Sequence, residues 1–513
     1  MAANVGALAN LKKDAGRAQA MNQLLMDVYG NWEDPSLDFP IPLSAAEAGP
    51  SMVPYGKEGK CQRRYLWTDA WGVLCFVSLA MRCDLSVDGD ENRREQLLEA
   101  GEKLVKCVHG TLGQPRGDAY PMRMVGGREG ERKEEEVKTP HGFIGLRIGK
   151  ERALPGGGSD AGMTFDGMYY HYLDKWIFAL LRLSQACEAF RGPGQGEEYL
   201  ALAEELIKAI HPYFVQLPEE AGQQQQQLQG GQGDIRLPRG GQVGREGGIY
   251  WKVGPDMSRI RGLEIRGPSE DCLSGWVVYS LVKQEGERVG RFRRKVEGRG
   301  GGRGSGGEEK GKEQRQQQQQ QEEDEEEEDE EDEEREEDSL SPIAKEQADL
   351  EGLASAYLRH KDGLHVTCDP LGWGLMGWKT EKLGAWAEPI RTRLKVLAPR
   401  ALAVESGMML PFRLYGAIMG ARLLSGREGG EERGRAVGVM AERALEIVTP
   451  VGLKEERGGL RSINKVMLAA ALDPIAFLRL DREEVLELPG GGREVGREGG
   501  REGTEKREKE EWA

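Results

Sequence analysis

Four segments place an aspartate at the predicted start of a helix, next to aromatic or glycine residues. They are Asp69-Ala70-Trp71-Gly72, Asp166-Gly167-Met168-Tyr169, Asp271-Cys272-Leu273-Ser274-Gly275-Trp276 and Asp369-Pro370-Leu371-Gly372-Trp373. Two carboxyl groups, one protonated and one ionised, can cleave a glycosidic bond between them. Asp69, Asp166 and Asp271 are therefore candidate acid and base groups. Helix capping is the competing interpretation, because an aspartate at an N-cap satisfies free backbone N–H groups; Asp369, which precedes a proline, fits that role best.

Histidine and aromatic side chains near the second aspartate could contact a ligand. His171 lies between Tyr170 and Tyr172, where it could act as a general base or hydrogen-bond a ligand. A structural histidine is the alternative. Other residues near predicted helix starts, or among the aromatic residues of those helices, are also predicted to contact a ligand. They are Trp67, Tyr170, Trp176, Glu270 and Asp369.

Basic residues in two predicted loops form a second candidate group. The loop that ends at Lys150 has the glycines of a phosphate-binding loop but not its spacing, because Ile144 occupies the first glycine position and Glu151 follows the lysine. Arg147 and Lys150 still lie between helical units, where ligand contacts concentrate, and Lys252 lies in a similar loop. They would suit an anionic ligand; surface ion pairing is the alternative.

No cofactor is expected. Seven cysteines are scattered and form no Cys-x-x-Cys pair, so neither a zinc ribbon nor a redox pair is supported. His141, His360 and His365 lack metal-ligand spacing. His109 and His211 lie at the ends of predicted helices and are expected to cap them.

Repeated helical hairpins are the elements that would position these residues. The motif Leu104-Val105-Lys106 with His109 recurs, without a gap, as Leu206-Ile207-Lys208 with His211. A hairpin does not bury its apolar face alone, so repeated hairpins stack or close on one another. Apolar periodicity predicts twelve helices, or six hairpins if the first helix pairs with the last. We therefore expect an all-α (α/α)6 toroid, with an open helical solenoid as the alternative.

The predicted toroid is one domain, residues 1–488, interrupted by low-complexity segments. These insertions and the C-terminal tail comprise 126–138, 218–248, 284–345, 425–435 and 489–513. They bury too little apolar area to offset the entropy of ordering, and are expected to be disordered. Within them, Glu322–Asp338 carries a net charge of −15 out of −16 for the whole chain. The acidic balance therefore says nothing about the ligand.

The pattern resembles the six-hairpin glycosidase-like superfamily, and more closely an uncharacterised (α/α)6 toroid branch of it. The matching segments are Arg64-Tyr65-Leu66-Trp67-Thr68-Asp69-Ala70, Gly145-Leu146-Arg147-Ile148-Gly149-Lys150, Tyr169-Tyr170-His171-Tyr172-Leu173 with Lys175-Trp176, Ala209-Ile210-His211-Pro212, Asp369-Pro370-Leu371-Gly372 and Leu410-Pro411-Phe412-Arg413. The resemblance covers most of Arg64 to Leu478. It implies a cleft where the inner helices begin, but no single reaction, since one fold hosts many functions.

Glycoside hydrolysis by paired carboxylates is the leading hypothesis. The alternatives are a sugar epimerase or isomerase with His171 as proton carrier, and a catalytically inactive carbohydrate-binding or scaffold toroid. The expected partner is a small molecule or oligosaccharide. Nucleic acid is disfavoured because the only basic patch is Arg291–Lys295, and no apolar run is long enough for a membrane span. A cytoplasmic location is expected, with organellar targeting as the alternative.

Overall fold

The computed structural model describes thirteen parts of the chain: 14–43, 53–55, 60–83, 88–113, 145–150, 166–218, 247–254, 257, 269–300, 342–359, 411–427, 439–446 and 461–473. These parts are mostly helical, as expected, and contain ten helices and six short strands. Two of the predicted helices, Leu371–Trp378 and Ala385–Leu397, lie outside them.

The helices are α1 (Asp14–Tyr29), α2 (Leu66–Arg82), α3 (Asp88–Leu112), α4 (Tyr170–Arg191), α5 (Glu197–Phe214), α6 (Glu270–Gly300), α7 (Ala344–Arg359), α8 (Pro411–Arg427), α9 (439–446) and α10 (Arg461–Leu472). The strands are β1 (Val53–Tyr55), β2 (Lys60–Gln62), β3 (Met168–Tyr169), β4 (Val215–Gln216), β5 (Gly248–Ile249) and β6 (Lys252–Val253). The strands form antiparallel pairs, β1 with β2, β3 with β6 and β4 with β5.

Two of the aspartates that the sequence places at helix starts lie elsewhere, and the predicted start of α4 is wrong. α4 begins at Tyr170 and not at Asp166, because Gly167 has a φ of 151° and the next two residues form a strand that pairs with β6. Asp69 lies one turn inside α2, which begins at Leu66. Neither aspartate therefore occupies the N-cap position that its sequence context suggests.

The start of the predicted insertion 284–345 also needs correction. α6 continues into this segment as far as Gly300. Val289 packs partly buried against the core, and Arg288 is paired with Glu285 at 2.5 Å. These contacts extend the helix past the point where its composition turns from apolar to charged.

Helices α2, α4 and α6 form a row in which each packs against the next. Outside the row, α3 packs against α2 and α4, while α5 packs against α4 and α6. This alternation is the repeat expected from the sequence. The two repeat histidines occupy equivalent places: His109 contacts Trp176 on α4, and His211 contacts Tyr279 on α6.

A short loop ties the N-terminal ends of α2 and α4 together. The backbone N–H of Leu66 donates to the carbonyl of Ile148 at 3.1 Å, and the N–H of Ile148 donates to the carbonyl of Gly167 at 2.7 Å. The N–H of Tyr170 in turn donates to the carbonyl of Trp251 at 3.1 Å. The two helices therefore start at the same end of the molecule.

The first and last helices of the described chain lie side by side, which is the condition for counting six hairpins. α10 packs against both α1 and α2. Lys465 forms an ion pair with Asp27 at 2.6 Å, and Arg82 forms one with Asp473 at 2.7 Å.

None of the helices in the described ranges combines the length and the hydrophobicity that crossing a membrane requires.

Candidate functional site

Five aromatic side chains meet where α2 and α4 begin. This aromatic cluster consists of Tyr65, Trp67, Tyr169, His171 and Tyr172. The ring centroids of Trp67 and Tyr172 are 5.0 Å apart, and the rings of Tyr169 and His171 stack at 5.4 Å. The hydroxyls of Tyr65 and Tyr172 are 2.6 Å apart. His171 and Tyr172 are half-buried and the other three side chains are buried, so these two are the least enclosed members of the cluster.

Two lysines place their ammonium groups over rings of the aromatic cluster. The Nζ of Lys150 lies 4.7 Å from the ring centroid of Tyr65, and the Nζ of Lys252 lies 5.1 Å from that of Tyr169. Cations are attracted to aromatic faces at such distances. Lys252 is fully buried, whereas Lys150 is half-buried. Burial lowers the pKa of the Lys150 ammonium, and the charge of Asp166 acts in the opposite direction.

Asp166 is buried and holds the loop between the two helix starts. Its carboxylate accepts hydrogen bonds from the Nη1 of Arg147 at 2.5 Å and from the backbone N–H groups of Gly149 and Lys150 at 3.0 and 3.2 Å. Arg147 also donates to the carbonyl of Thr111 at the end of α3, at 3.0 Å. Both oxygens of the carboxylate are thus engaged by the protein, and the contacts position the loop.

Asp69 is held in a comparable way. It lies 3.5 Å from the guanidinium of Arg64, and both side chains are fully buried. The other carboxylate oxygen of Asp69 accepts a hydrogen bond from the backbone N–H of Tyr65 at 3.3 Å. Tyr65 is the residue that precedes α2, so Asp69 satisfies a free N–H at the helix start from one turn inside it. The capping alternative describes this contact better than acid–base chemistry does.

Other predicted site residues lie away from the aromatic cluster. Trp176 is deeper in the core, where its indole N–H donates to the Nε2 of His109 at 3.0 Å. His109, which was predicted to cap α3, therefore joins α3 to α4 through its ring. The Tyr170 hydroxyl packs against Gly275 of α6. Glu270 and Asp271 lie half-buried in the first turn of α6. Asp369 lies outside the described residues.

A buried polar group between α4 and α6 escaped the sequence-based prediction. The ammonium of Lys175 contacts the carboxylate of Asp174 at 3.0 Å, and the hydroxyl of Ser274 donates to the same carboxylate at 2.7 Å. Both charged side chains are fully buried. The sequence does hold a sign of this group, since the adjacent charged residues Asp174 and Lys175 interrupt an otherwise apolar stretch of helix. Ser274, however, lies 100 residues from Asp174 in the chain, so the sequence does not show that the two meet.

His171 is uncharged at neutral pH. Burial, and secondarily the positive charge of Lys175, lowers its pKa to about 3. An imidazole with so low a pKa is a weak base near pH 7. The side chain therefore suits hydrogen bonding to a ligand better than the proton-carrier role of the epimerase hypothesis.

Within the described ranges, no group of three or more His, Cys, Asp or Glu side chains could hold a metal ion. In comparisons with known proteins, no family model matches the chain, and no match is found among the curated proteins or the solved structures.

Proposed function

We propose that this chain is a carbohydrate-binding protein with the (α/α)6 toroid of the six-hairpin glycosidase-like superfamily, and that the sugar binds at the aromatic cluster. The observation that carries the proposal is the joint presentation of His171 and Tyr172, above buried rings, where α2 and α4 both start. Aromatic faces pack against the C–H faces of sugar rings, while imidazole and phenol groups hydrogen-bond hydroxyls.

The arrangement of helices supports the toroid. Helices α2, α4 and α6 form an inner row, with α3 and α5 outside it, and α10 extends the row on the side of α2. In a six-hairpin ring, further inner helices would come from residues 360–410. The sequence predicts helices there at Leu371–Trp378 and Ala385–Leu397, which would complete the circuit between α7 and α8.

The ion pairs of Asp69 and Asp166 favour sugar binding over sugar hydrolysis. Hydrolysis needs a carboxyl group that donates a proton and a second that accepts one or attacks the sugar. Asp69 and Asp166 are instead paired with the buried guanidinium groups of Arg64 and Arg147. Of the three predicted catalytic residues, Asp271 alone is partly exposed. The carbohydrate-binding alternative therefore explains these contacts better than a pair of catalytic carboxylates.

A thermal-shift screen with neutral and acidic mono- and oligosaccharides tests the proposal. A specific ligand raises the unfolding temperature by mass action, whether or not turnover follows. We expect the shift to be lost in Tyr172→Ala. It should persist in Tyr213→Ala, which removes a comparably half-buried tyrosine from α5. The proposal is wrong if no sugar shifts the unfolding temperature, or if Tyr172→Ala responds like the parent protein.

A further inference from the structure

We infer that the aromatic cluster selects sugars by one hydroxyl group, which hydrogen-bonds to both Trp67 and His171. The inference rests on the proposed carbohydrate-binding function and adds the residues that determine specificity. It follows from two polar groups of the cluster that meet no hydrogen-bonding partner in the described parts of the chain.

The indole N–H of Trp67 is a buried donor. The residue is 6% exposed, and its Nε1 has no acceptor among the residues that the structure describes. Trp176 shows the usual arrangement of a buried indole, because its N–H donates to His109 at 3.0 Å. A buried donor without an acceptor is unfavourable. An oxygen that a ligand brings to Trp67 would therefore stabilise the complex.

Trp67 contacts the two least enclosed members of the aromatic cluster. The centroid of its ring lies 5.0 Å from that of Tyr172 and 6.0 Å from that of His171. Both of these side chains are half-buried. A sugar ring that packs on them is therefore brought next to the indole.

The imidazole of His171 is the second polar group. It contacts the rings of Trp67, Tyr169 and Tyr172, and it forms no hydrogen bond with any residue in the described ranges. Because the side chain is uncharged at neutral pH, one ring nitrogen donates a hydrogen bond and the other accepts one. The imidazole is thus equipped to bind a group that can act in either way.

A hydroxyl group of the sugar matches this pair. Its oxygen accepts the indole N–H of Trp67, and the same hydroxyl forms a second hydrogen bond with His171, as donor or acceptor according to the tautomer of the imidazole. A deoxy sugar, which carries only hydrogen at that carbon, leaves both groups without a partner. Sites that hydrogen-bond a substrate hydroxyl reject the analogue that lacks it for this reason.

Calorimetric titration of the full-length protein at neutral pH tests the inference. Glucose, galactose and mannose are titrated first, and the sugar that binds most tightly becomes the reference. Each monodeoxy derivative of the reference sugar is then titrated in the same way. We expect one derivative to bind at least about tenfold more weakly than the reference sugar, and that derivative identifies the hydroxyl that the site selects.

Variants assign this difference to the two residues. Trp67→Phe keeps an aromatic ring and removes the N–H, so the reference sugar and the weak deoxy derivative should bind it with nearly equal affinity. His171→Leu should reduce the same difference, whereas His171→Gln should retain it, because an amide both donates and accepts. Trp276→Phe is the matched control. Trp276 is also buried with no acceptor for its N–H in the described ranges, but it lies on α6 outside the aromatic cluster, so this variant should keep the full difference.

The outcomes are distinguishable. Equal affinity for the reference sugar and all of its monodeoxy derivatives would overturn the inference and leave carbohydrate binding intact. A difference that persists unchanged in Trp67→Phe would do the same; if that variant fails to fold, a difference that persists in His171→Leu decides against the inference. Failure of all three sugars to bind overturns the inference, and it overturns the proposed function as well when no other sugar shifts the unfolding temperature.

Discussion

Asp166 connects the loop before α4 to the end of α3 through Arg147. We expect Asp166→Asn to lower the free energy of unfolding by about 3–5 kcal/mol, because the guanidinium would remain buried opposite a neutral amide. Urea unfolding followed by circular dichroism measures the change. Glu99→Gln is the control, since Glu99 forms an exposed pair with Lys103 and its loss should cost under about 0.5 kcal/mol. Equal effects of the two substitutions would exclude a structural role for the Arg147–Asp166 pair.

His171 should make the stability of the protein depend on pH. The unfolded chain binds a proton at this histidine below about pH 6.5, whereas the folded protein binds it only near pH 3. Stability from this group is therefore complete above pH 6.5 and falls as the pH falls towards 3. We expect His171→Gln to flatten the dependence of the unfolding free energy between pH 6.5 and 4, by at most about 1.4 kcal/mol per pH unit. Parallel curves for parent and variant would contradict this expectation.

The partners of the charged residues could not be predicted from the sequence. Arg147 and Asp166 were both singled out as site residues, but their ion pair spans 19 positions and crosses a loop. The contact between Asp174 and Ser274 spans 100 positions. Hydrophobic periodicity predicts which face of a helix is buried. It does not predict which polar groups on different helices or loops contact each other. The residues were therefore accessible to sequence analysis, and their roles were not.

Among the helices, α4 and α6 approach closely because a glycine lies at their contact. A Cβ at Gly275 would overlap the Tyr170 hydroxyl and lie 3.0 Å from Leu350. We expect Gly275→Ala to destabilise the fold by about 1–3 kcal/mol, and Tyr170→Phe in the same chain to recover most of the loss. Chemical denaturation of the single and double variants measures the coupling.

Gly352 provides the control for this substitution, because it lies at an exposed position of α7 and a Cβ there would meet nothing within 4 Å. Gly352→Ala should raise the free energy of unfolding by up to about 1 kcal/mol through helix propensity alone. If Gly275→Ala is as well tolerated as Gly352→Ala, the helices do not need the close approach. If Tyr170→Phe fails to recover the loss, the tyrosine hydroxyl is not the obstacle.

The helix boundaries show which local signals are reliable. Apolar spacing predicts helices over Tyr65–Arg82 and Glu197–Phe214, and α2 and α5 match these bounds to within one residue. The start of α4 was wrong because Asp166 has the residue type of a cap, while the backbone at Gly167 and the pairing of β3 with β6 require an extended segment. Tertiary pairing overrode a local preference there.

At the scale of the molecule, the repeat was the most informative feature of the sequence. It predicted helical hairpins that pack on their neighbours, and α2 to α6 pack in that way; the closed ring of six hairpins stays a prediction. The aromatic cluster was predicted only in part. Trp67 and His171 were named as ligand contacts, whereas Tyr65 and Tyr169 were known only as members of matching segments. Their convergence depends on the loop that joins two helix starts, and no periodic pattern describes that loop.

Closure of the ring can be tested through cooperativity. Val466 is fully buried on α10, between the first and last parts of the chain, so Val466→Asp places an unpaired charge in that contact. In a closed toroid, the amide hydrogens of α1, α2, α4 and α6 should lose protection together in native-state hydrogen exchange. In an open stack, stability is a sum over neighbours, so α1 and α2 would exchange faster while α6 kept its protection. Val439→Asp is the control, because Val439 is 69% exposed on α9, and it should leave all four helices protected. If Val466→Asp speeds exchange in α1 and α2 alone, the closed ring is excluded.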